Sequence, residues 1–492
     1  LLVNASPQDT PEAMRGAIER YGFRSRYVVD HERALSRALG ASTTAEVFVL
    51  DRARTLVYRG ALDDQYGVGW VRDKPQAEYA RAAVDATLAG ERPEIEATTA
   101  PGCVLALEAG TPDPDAPTWH ADVSRIFQRR CMTCHRESQP GPFPLTTHAQ
   151  VEGNAGMVRW AVESRRMPPW FAGRESLPMH NDLSLTEAER KTVLDWLDAD
   201  CPEGEPADAP LPRTWAEGWT LGEPDAVIEI PVVHDVPAEG VMPYIHVKVP
   251  TAFDEDKWVS AYEIRVSAPE VVHHVLTFLY YPKDHPFRHE QQRVRGGVAG
   301  FFAVYAPGGA SHAMPRGTAK RLPKGGTLEF QLHYTPNGEA TKNTTRLGLW
   351  FRDGPPEHQL RSTGIYNTRF RIPPGAPNHE VAASKAIPVR ARLYGFMPHM
   401  HLRGKAFRFE AHYPDGTEQV LLDVPVFDFN WQMTYQLREP LDVPAGTRIR
   451  TTAWYDNSAD NPANPDPTRT VPWGNQTHDE MMLGYVEWHP LK

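Results

Sequence analysis

From about residue 215 to its last residue, the chain is a series of short β-type runs separated by turns rich in proline and glycine. Clear examples are VHHVLTFLYY at 272–281 and TLEFQLHY at 327–334. Proline cannot donate to a sheet ladder, so the 46 prolines among 492 residues favour short strands and loops over long helices. About 275 residues of this pattern exceed one ordinary sandwich of about 100 residues. We therefore predict two tandem antiparallel β-sandwiches of jelly-roll-like form, at 215–373 and 374–492.

The first 107 residues alternate helix and strand signals. The runs AEVFVL at 45–50 and TLVY at 55–58 predict two paired strands within a small α/β domain. The longer run TTAEVFVLDRARTLVYRGALDD at 43–64 resembles the C-terminal half of a thioredoxin-like, peroxiredoxin-type domain. That family uses a cysteine on its first strand–helix turn, whereas no cysteine here precedes Cys103. We therefore expect a partial thioredoxin-like domain at 1–107 that carries out no thiol chemistry.

Residues 110–205 are predicted to be helical and contain the sequence CMTCH, with Cys131, Cys134 and His135 as its key positions. Two thiols at this spacing can attack the two vinyl groups of haem, and the adjacent imidazole can then bind the iron. We predict a cytochrome c-like domain that carries covalently attached haem c. A redox dithiol is an alternative, and so is half of a zinc site, which would need two further ligands in matched spacing.

The sixth ligand of this haem is predicted to be Met167, which lies 32 residues after His135 and just before two prolines. The prolines hold the chain extended, and a thioether ligand suits electron transfer because it raises the haem potential. The competing ligands in the same region are Met157, Met179, His148 and His180.

Two further cysteines, Cys103 and Cys201, flank the haem region, and they either form a disulfide or remain two buried thiols. No cysteine follows Cys201, which excludes a disulfide-stapled fold for the rest of the chain. The sequence opens at Leu1 without an initiator methionine, which indicates a trimmed or processed chain. The missing signal peptide is therefore uninformative about the compartment.

Two histidine clusters stand out among the 20 histidines. His399 and His401, in PHMH, lie on the same face of a predicted strand about 7 Å apart, a separation at which two imidazoles can converge on one metal. His273 and His274 are adjacent within an apolar run. Consecutive residues of a regular strand face opposite ways, so convergence of this pair requires a bulge or a strong local twist.

These residues also carry a resemblance to a known family. The ordered set HH, H, HxH and M, which spans residues 273 to 481, resembles the type II, ascorbate-dependent copper monooxygenases. That group contains peptidylglycine α-hydroxylating monooxygenase and dopamine β-monooxygenase, and has two β-sandwich subdomains that each hold one copper across a solvent-filled cleft. The resemblance implies two copper ions with the following ligands: His273, His274 and His333 for the first, and His399, His401 and Met481 for the second.

In that family the methionine-bound copper binds oxygen and attacks the substrate, while the three-histidine copper passes its electron across the cleft. The resemblance thus implies that His399, His401 and Met481 form the catalytic site. The chemistry agrees, since imidazole suits copper in both oxidation states and a soft thioether favours Cu(I). The overall reaction would convert C–H, O2, two electrons and two protons into C–OH and water. Met482 is the alternative thioether ligand. His246, His312 and His478 are expected to be structural or to support the metal ligands through hydrogen bonds.

The partners expected from this interpretation are O2, an unidentified small organic substrate and a reductant, either ascorbate-like or a redox protein, with the attached haem as an electron relay. The animal members of the family are stapled by disulfides, whereas this region has no cysteine. No motif matches the arginine-centred pocket of the peptide-processing enzyme, so a peptide substrate is unsupported. The alternative hypotheses are a copper-binding or electron-transfer protein that performs no oxygenation, and a carbohydrate- or partner-binding double sandwich with incidental histidines.

Charge and hydropathy exclude two further classes. The formal charge of −11 and the absence of any Lys/Arg run argue against nucleic-acid binding. No stretch approaches the roughly 18 apolar residues of a membrane span. Because haem is attached outside the cytoplasm, we expect a periplasmic or otherwise extracytoplasmic protein.

Overall fold

A computed structural model of the chain describes residues 1–6, 9–72, 74–108, 110–288 and 300–491. The chain divides into two compact units. The first contains 1–137, 141–169 and 184–213, and the second contains 138–140, 170–183 and 214–492.

The described residues of the first unit form seven short α-helices: α1 (Pro11–Tyr21), α2 (Ala34–Leu39), α3 (Tyr79–Ala89), α4 (Ser124–Arg130), α5 (His148–Gly153), α6 (Ala155–Glu163) and α7 (Glu187–Asp198). A π-helical turn at Trp119–Val123 precedes α4, and a 3-10 turn lies at Pro206–Asp208. The sequence signals at the helix ends explain their bounds. For example, Thr186 and Glu189 form a capping box that begins α7.

The strands of the first unit are β1 (Leu2–Asn4), β2 (Tyr27–Val29), β3 (Val47–Leu50), β4 (Leu56–Gly60), β5 (Tyr66–Gly67) and β6 (Trp70–Val71). Strands β3 and β4 pair antiparallel, which confirms the predicted pairing of these two runs. Strands β1 and β2 pair parallel, and β5 pairs with β6, so the described strands form three separate two-stranded sheets.

The second unit is built almost entirely of strands. Its N-terminal strands are β7 (Ala226–Glu229), β8 (His234–Val236), β9 (Ile245–Pro250), β10 (Lys257–Val266), β11 (Val272–Tyr280), β12 (Phe301–Tyr305), β13 (Ser311–Ala313), β14 (Thr318–Leu322), β15 (Thr327–Tyr334), β16 (Thr341–Asn343), β17 (Thr345–Phe351) and β18 (His358–Gln359). Its C-terminal strands are β19 (Arg361–Tyr366), β20 (Arg371–Ile372), β21 (His379–Ala386), β22 (Ala391–His399), β23 (Gly404–His412), β24 (Glu418–Val424), β25 (Tyr435–Val443), β26 (Arg448–Tyr455), β27 (Val471–Pro472) and β28 (Leu483–Pro490).

Four larger sheets organise these strands. The first has the order β18-β14-β10-β17-β7 with β13 added to β10, and the second has the order β12-β11-β15-β9. The third has the order β19-β28-β22-β25, and the fourth has the order β21-β26-β23-β24. Together the sheets form four successive blades. Two-stranded ribbons, β8 with β16 and β20 with β27, lie at their margins.

Three hydrophobic clusters hold the sheets together. One packs Val259 and Leu347 of the first sheet with Phe330 of the second, and another packs Phe396 of the third sheet with Phe409 of the fourth. A smaller cluster joins residues of the second and third sheets. Complete burial of such a side chain contributes about 1.5–3 kcal/mol, so these clusters supply stability without disulfides. All four cysteines of the chain are free thiols.

The fold class predicted from the sequence was wrong. We expected a partial thioredoxin-like α/β domain, an α-helical cytochrome c-like domain and two β-sandwich subdomains. Instead, strands make up 34% and helices only 15% of the structure, and the blade-like sheets dominate it. The sequence patterns at 1–213 indicate which residues form helices and strands, but they do not determine which strands pair. The described strands there do not join into a sheet of thioredoxin size. The predicted domain boundaries stay predictions.

None of the helices that the structure describes combines the length and the hydropathy that crossing a membrane requires.

Candidate metal centre

Three histidines of the second sheet converge because of a bulge. His274 on β11 lies opposite His333 on β15, and the register shifts between Val272 and His274. The extra residue is His273, so the two consecutive imidazoles are not forced to opposite faces. The possible ligand atoms of all three histidines lie within 4.8 Å of one another. The three side chains of this first histidine set can therefore hold a single metal ion.

One ring nitrogen of His274 and one of His333 have no hydrogen-bond partner among the described groups. Nε2 of His274 and Nδ1 of His333 are buried without a hydrogen bond to any described group. A buried polar atom left unpaired costs about 1–3 kcal/mol. Burial lowers the pKa of His273 to about 4 and lowers the pKa values of His274 and His333 well below the usual range. These imidazoles are thus neutral at pH 7, with lone pairs that a metal ion would satisfy.

A second histidine set lies where β22 ends. The rings of His399 and His401 have centroids 5.4 Å apart, while Met400 between them packs into the core formed with the fourth sheet. His399 Nδ1 donates to Oε1 of Gln432, and His401 Nδ1 donates to the Asp479 carbonyl at 3.2 Å. Nε2 of His401 has no described partner. Burial lowers the pKa of His399 to about 4 and that of His401 to about 3.

The backbone of the second set is held by a buried carboxylate. Glu480 accepts from the His401 amide at 2.9 Å and from the Arg403 amide at 2.6 Å. Arg403 is itself fully buried and donates to Asn457 at 2.8 Å and to the His478 carbonyl at 3.0 Å. Burial raises the pKa of Glu480 to about 8, against the lowering effect of the backbone donors and Arg403.

Met481 and Met482, the two candidate thioether ligands that follow Glu480, pack in different hydrophobic clusters. Met481 packs with Leu276 of β11 and Tyr485 of β28, in the cluster that joins the second and third sheets. Met482 packs in the core between the third and fourth sheets. Met481 is therefore on the side of the molecule where the sheets that carry the two histidine sets meet.

The two histidine sets form one continuous buried cluster. The rings of His274 and His399 have centroids 6.4 Å apart. The Tyr244 ring contacts His274, His333 and His401, with centroid distances of 5.7, 4.6 and 5.9 Å. Phe429 stacks on His273 at 4.7 Å. The family resemblance implies a solvent-filled cleft between two copper ions, whereas here the ring of Tyr244 contacts histidines of both sets.

Sequence reasoning missed the residues that complete this cluster. Tyr244, Phe429, Gln432 and Glu480 contact the histidines from distant positions in the chain, and no local periodicity marks them. The only available signal was the position of Glu480 beside Met481. The three histidines predicted to be structural have the following neighbours: His246 pairs with Glu329 at 2.9 Å, His312 lies 3.6 Å from Glu487, and His478 lies 4.0 Å from Asp479.

The residues of the CMTCH motif lie in the first unit. Cys131 caps the C-terminal end of α4, and burial raises the pKa of Cys131 to about 12 and that of Cys134 to about 11. His135 Nδ1 donates to the Phe143 carbonyl at 3.0 Å, which leaves Nε2 as the nitrogen that could bind a metal. Met167 is half-buried, and its amide donates to the Ala161 carbonyl at 3.2 Å.

Comparisons with known proteins give one informative match. No protein-family model matches the chain. A stretch of 140 residues is 30% identical to the DBH-like monooxygenase protein 1 of Gallus gallus, and covers 26% of this chain but only 22% of that protein. The chain therefore spans only about a fifth of the length of this relative.

Two solved structures share short or divergent regions with the chain. A hypothetical protein, SMc02350 from Sinorhizobium meliloti 1021, is 34% identical, with 22% of this chain and 61% of that chain covered and a TM-score of 0.19. The major capsid protein P2 of bacteriophage PM2 is 11% identical, with 54% and 97% covered and a TM-score of 0.23. These TM-scores are too low to support an argument about fold or function.

Proposed function

We propose that the protein is a copper-dependent monooxygenase that hydroxylates a C–H bond of a small organic substrate with O2. The observation that carries the proposal is the buried cluster of five neutral imidazoles, arranged in the chain order of the type II copper monooxygenases. The stretch similar to a DBH-like monooxygenase supports it independently. The substrate would be converted with two electrons and two protons, giving C–OH and water.

The donor atoms suit two copper ions. His273, His274 and His333 would hold one, and His399, His401 and Met481 would hold the catalytic one. Bound copper would supply one-electron redox chemistry, for which imidazole and thioether donors are appropriate. One nitrogen each of His274, His333 and His401 is buried without a hydrogen-bond partner, and a bound metal ion would supply that partner.

The surrounding residues orient and shield these donors. The hydrogen bonds from His399 to Gln432 and from His401 to the Asp479 carbonyl place the proton on Nδ1 of each ring. Each Nε2 is then left with a lone pair, and the ring orientation is fixed. The rings of Tyr244 and Phe429 pack directly against His333 and His273.

The second candidate function is a copper-binding or electron-transfer protein that performs no oxygenation. The observation that favours it is the burial of all five histidines, each of which is at most 8% exposed. Electron transfer needs no direct contact between the metal ligands and a substrate, whereas hydroxylation requires the substrate to reach the metal.

Copper titration followed by turnover would separate these functions. We expect two copper ions per chain, falling to one in His274→Ala and to one in His399→Ala. The control His412→Ala removes a half-buried histidine that pairs with Glu418 at 2.8 Å outside the cluster, and it should keep both ions. Ascorbate-driven O2 uptake coupled to hydroxylated product from a panel of small organic compounds would support the monooxygenase. Reversible reduction without O2 uptake would support the second candidate, and the absence of stoichiometric copper would contradict both.

We also propose that the CMTCH motif carries haem c and delivers electrons. Cys131 and Cys134 would form the thioether links, His135 would bind the iron through Nε2, and Met167 would be the sixth ligand. Attachment of haem implies an extracytoplasmic location. The check is a pyridine haemochrome spectrum and the mass of the mature chain, with Cys131→Ser expected to disrupt attachment and Cys103→Ser as the matched control. A chain that matures without haem in a host competent for haem attachment would contradict this proposal.

A further inference from the structure

Residues 170–183, which we call the strap, belong to the strand-rich unit although they lie between α6 and α7 in the chain. The strap contacts β24 and β25, which are the edge strands of the fourth and third sheets. An edge strand presents unpaired backbone groups, and the strap binds several of them on both strands. The strap is therefore anchored to two sheets of the same unit.

The strap holds the end of β24. The Gly173 amide donates to the Asp423 carbonyl at 2.7 Å, and the Leu177 amide donates to the Leu421 carbonyl at 3.1 Å. The Ser176 hydroxyl accepts from the Asp423 amide at 2.9 Å and donates to the carbonyl of the same residue at 3.1 Å. These bonds fix the last residues of β24, just before the chain leaves the sheet.

The strap also holds the start of β25. The Asn181 side chain donates to the Thr434 carbonyl at 2.7 Å, and its oxygen accepts from the Gln436 amide at 3.0 Å. The Trp170 ring packs on the Tyr435 ring, with centroids 5.0 Å apart. Asn181 therefore clasps the backbone on both sides of Tyr435.

The loop between these two anchor points carries residues of the metal centre. It comprises residues 425–434 and joins β24 to β25. Phe429 of this loop stacks on His273, and Gln432 accepts a hydrogen bond from His399. Gln432 lies two residues before the backbone carbonyl that the strap binds. The strap thus fixes both ends of the loop that orients His399.

We propose that the strap positions the second histidine set, with Asn181 as the positioning residue. Asn181 fixes the backbone that follows Gln432, and Gln432 fixes the ring of His399, which then presents Nε2 to the metal. This proposal rests on the proposed binding of copper by the second set. The first set should not depend on the strap, because all of its members lie on paired strands.

Competition with a Cu(I) chelator tests this proposal in the full chain. Asn181→Ala removes both side-chain hydrogen bonds to the end of the loop, so copper affinity at the second set should fall about tenfold. Affinity at the first set should stay within about threefold. The matched control Asn367→Ala removes an amide that also donates to one backbone carbonyl and accepts from one backbone amide, outside the loop, and should change neither affinity. Unchanged affinity at the second set, or an equal fall at both sets, would overturn the proposal.

A double variant separates positioning from a general loss of stability. In the Gln432→Leu protein, Asn181→Ala should lower the second-set affinity by no more than about threefold further, because its effect passes through Gln432. A further fall of about tenfold would overturn this route of action. Copper K-edge absorption on the Cu(I) protein should show one imidazole fewer in Asn181→Ala, and an unchanged spectrum would contradict the proposal.

Urea unfolding checks that each variant is folded in the assay. If Asn181→Ala does not fold, Asn181→Asp keeps the acceptor for the Gln436 amide and loses the donor to the Thr434 carbonyl. It should still lower affinity at the second set by more than about threefold, and full affinity would overturn the proposal. An unmodified chain that binds no copper would overturn the proposed function together with this proposal. Copper binding at the second set that is insensitive to Asn181 would overturn the positioning role alone.

Discussion

The two histidine sets are positioned in different ways. All three members of the first set lie on paired strands, so the backbone ladder between β11 and β15, with its bulge, determines where they point. The second set lies at the end of β22 and just beyond it, where Glu480 and Gln432 hold it through buried hydrogen bonds. A substitution of a supporting side chain should therefore affect the second set far more than the first.

The largest expected effect acts on both sets alike and concerns pH. The folded-state pKa values of His273 and His399 lie near 4, below the usual 6.5, so the unfolded chain binds more protons in this window. The stability of the copper-free protein is then fully present above pH 6.5 and is lost as pH falls toward 4. With about 1.4 kcal/mol per pKa unit, each of these histidines accounts for on the order of 3 kcal/mol.

Urea unfolding of the copper-free and copper-loaded protein at pH 7 and pH 4.5 would measure this effect. We expect the loss in the copper-free protein and a smaller loss with copper bound, since copper competes with protons for the same nitrogens. Equal stability of the copper-free protein at both values would show that these imidazoles are not buried as described.

Tyr244 tests whether the two sets form one cluster. Tyr244→Ala should destabilise the protein by about 3–5 kcal/mol, because removal of a buried ring leaves a cavity among His274, His333 and His401. The control Tyr244→Phe keeps the ring and should cost less than about 1 kcal/mol. If Tyr244→Ala weakens copper binding at one set only, the two sets are separate sites rather than a continuous cluster.

Glu480 tests the difference between the sets directly. Glu480→Gln replaces one of two acceptors for the His401 and Arg403 amides with a donor, so copper affinity at the second set should fall about 10- to 100-fold. Affinity at the first set should stay within about threefold, within the scatter of distant effects. Competition with a Cu(I) chelator would measure both. The matched control Glu329→Gln removes a buried carboxylate of β15 that bonds His246, and should change neither affinity.

The part of the site that sequence could predict is the part set by strand geometry. We predicted His399 and His401 on one face of a strand, whereas β22 ends at His399 and His401 lies beyond it. Convergence of His273 and His274 was expected to require a bulge or a strong twist, and the register of β11 contains an irregularity at this point. The roles of Tyr244 and Glu480 could not be predicted from the sequence, because their contacts with the histidines depend on how separate sheets pack. No spacing in the chain encodes that packing.

For the fold, too, the sequence predicted the positions of strands but not how the sheets are assembled. The β-type runs after residue 215 predicted strands, and β11 and β15 appear where the longest of them lie. The pairing of β3 with β4 was also foreseen. For the N-terminal region, the predicted thioredoxin-like sheet was wrong, since a local alternation of helix and strand patterns does not specify which strands pair. Those strands form isolated pairs instead of a thioredoxin-like sheet.

The smallest expected effect concerns Gln432, which holds only the ring of His399. Gln432→Leu keeps the volume but removes the acceptor for Nδ1, so His399 loses its fixed tautomer and orientation. Copper affinity at the second set should fall about tenfold, at the lower end of such effects, and the first set should be unchanged. The control Gln436→Leu removes a comparable amide, which bonds His312 at 2.8 Å outside the cluster. Copper K-edge absorption on the Cu(I) protein would show whether one imidazole is lost. A variant with full affinity and an unchanged spectrum would mean that packing alone orients His399. Glu480 would then be the one supporting side chain that distinguishes the second set from the first.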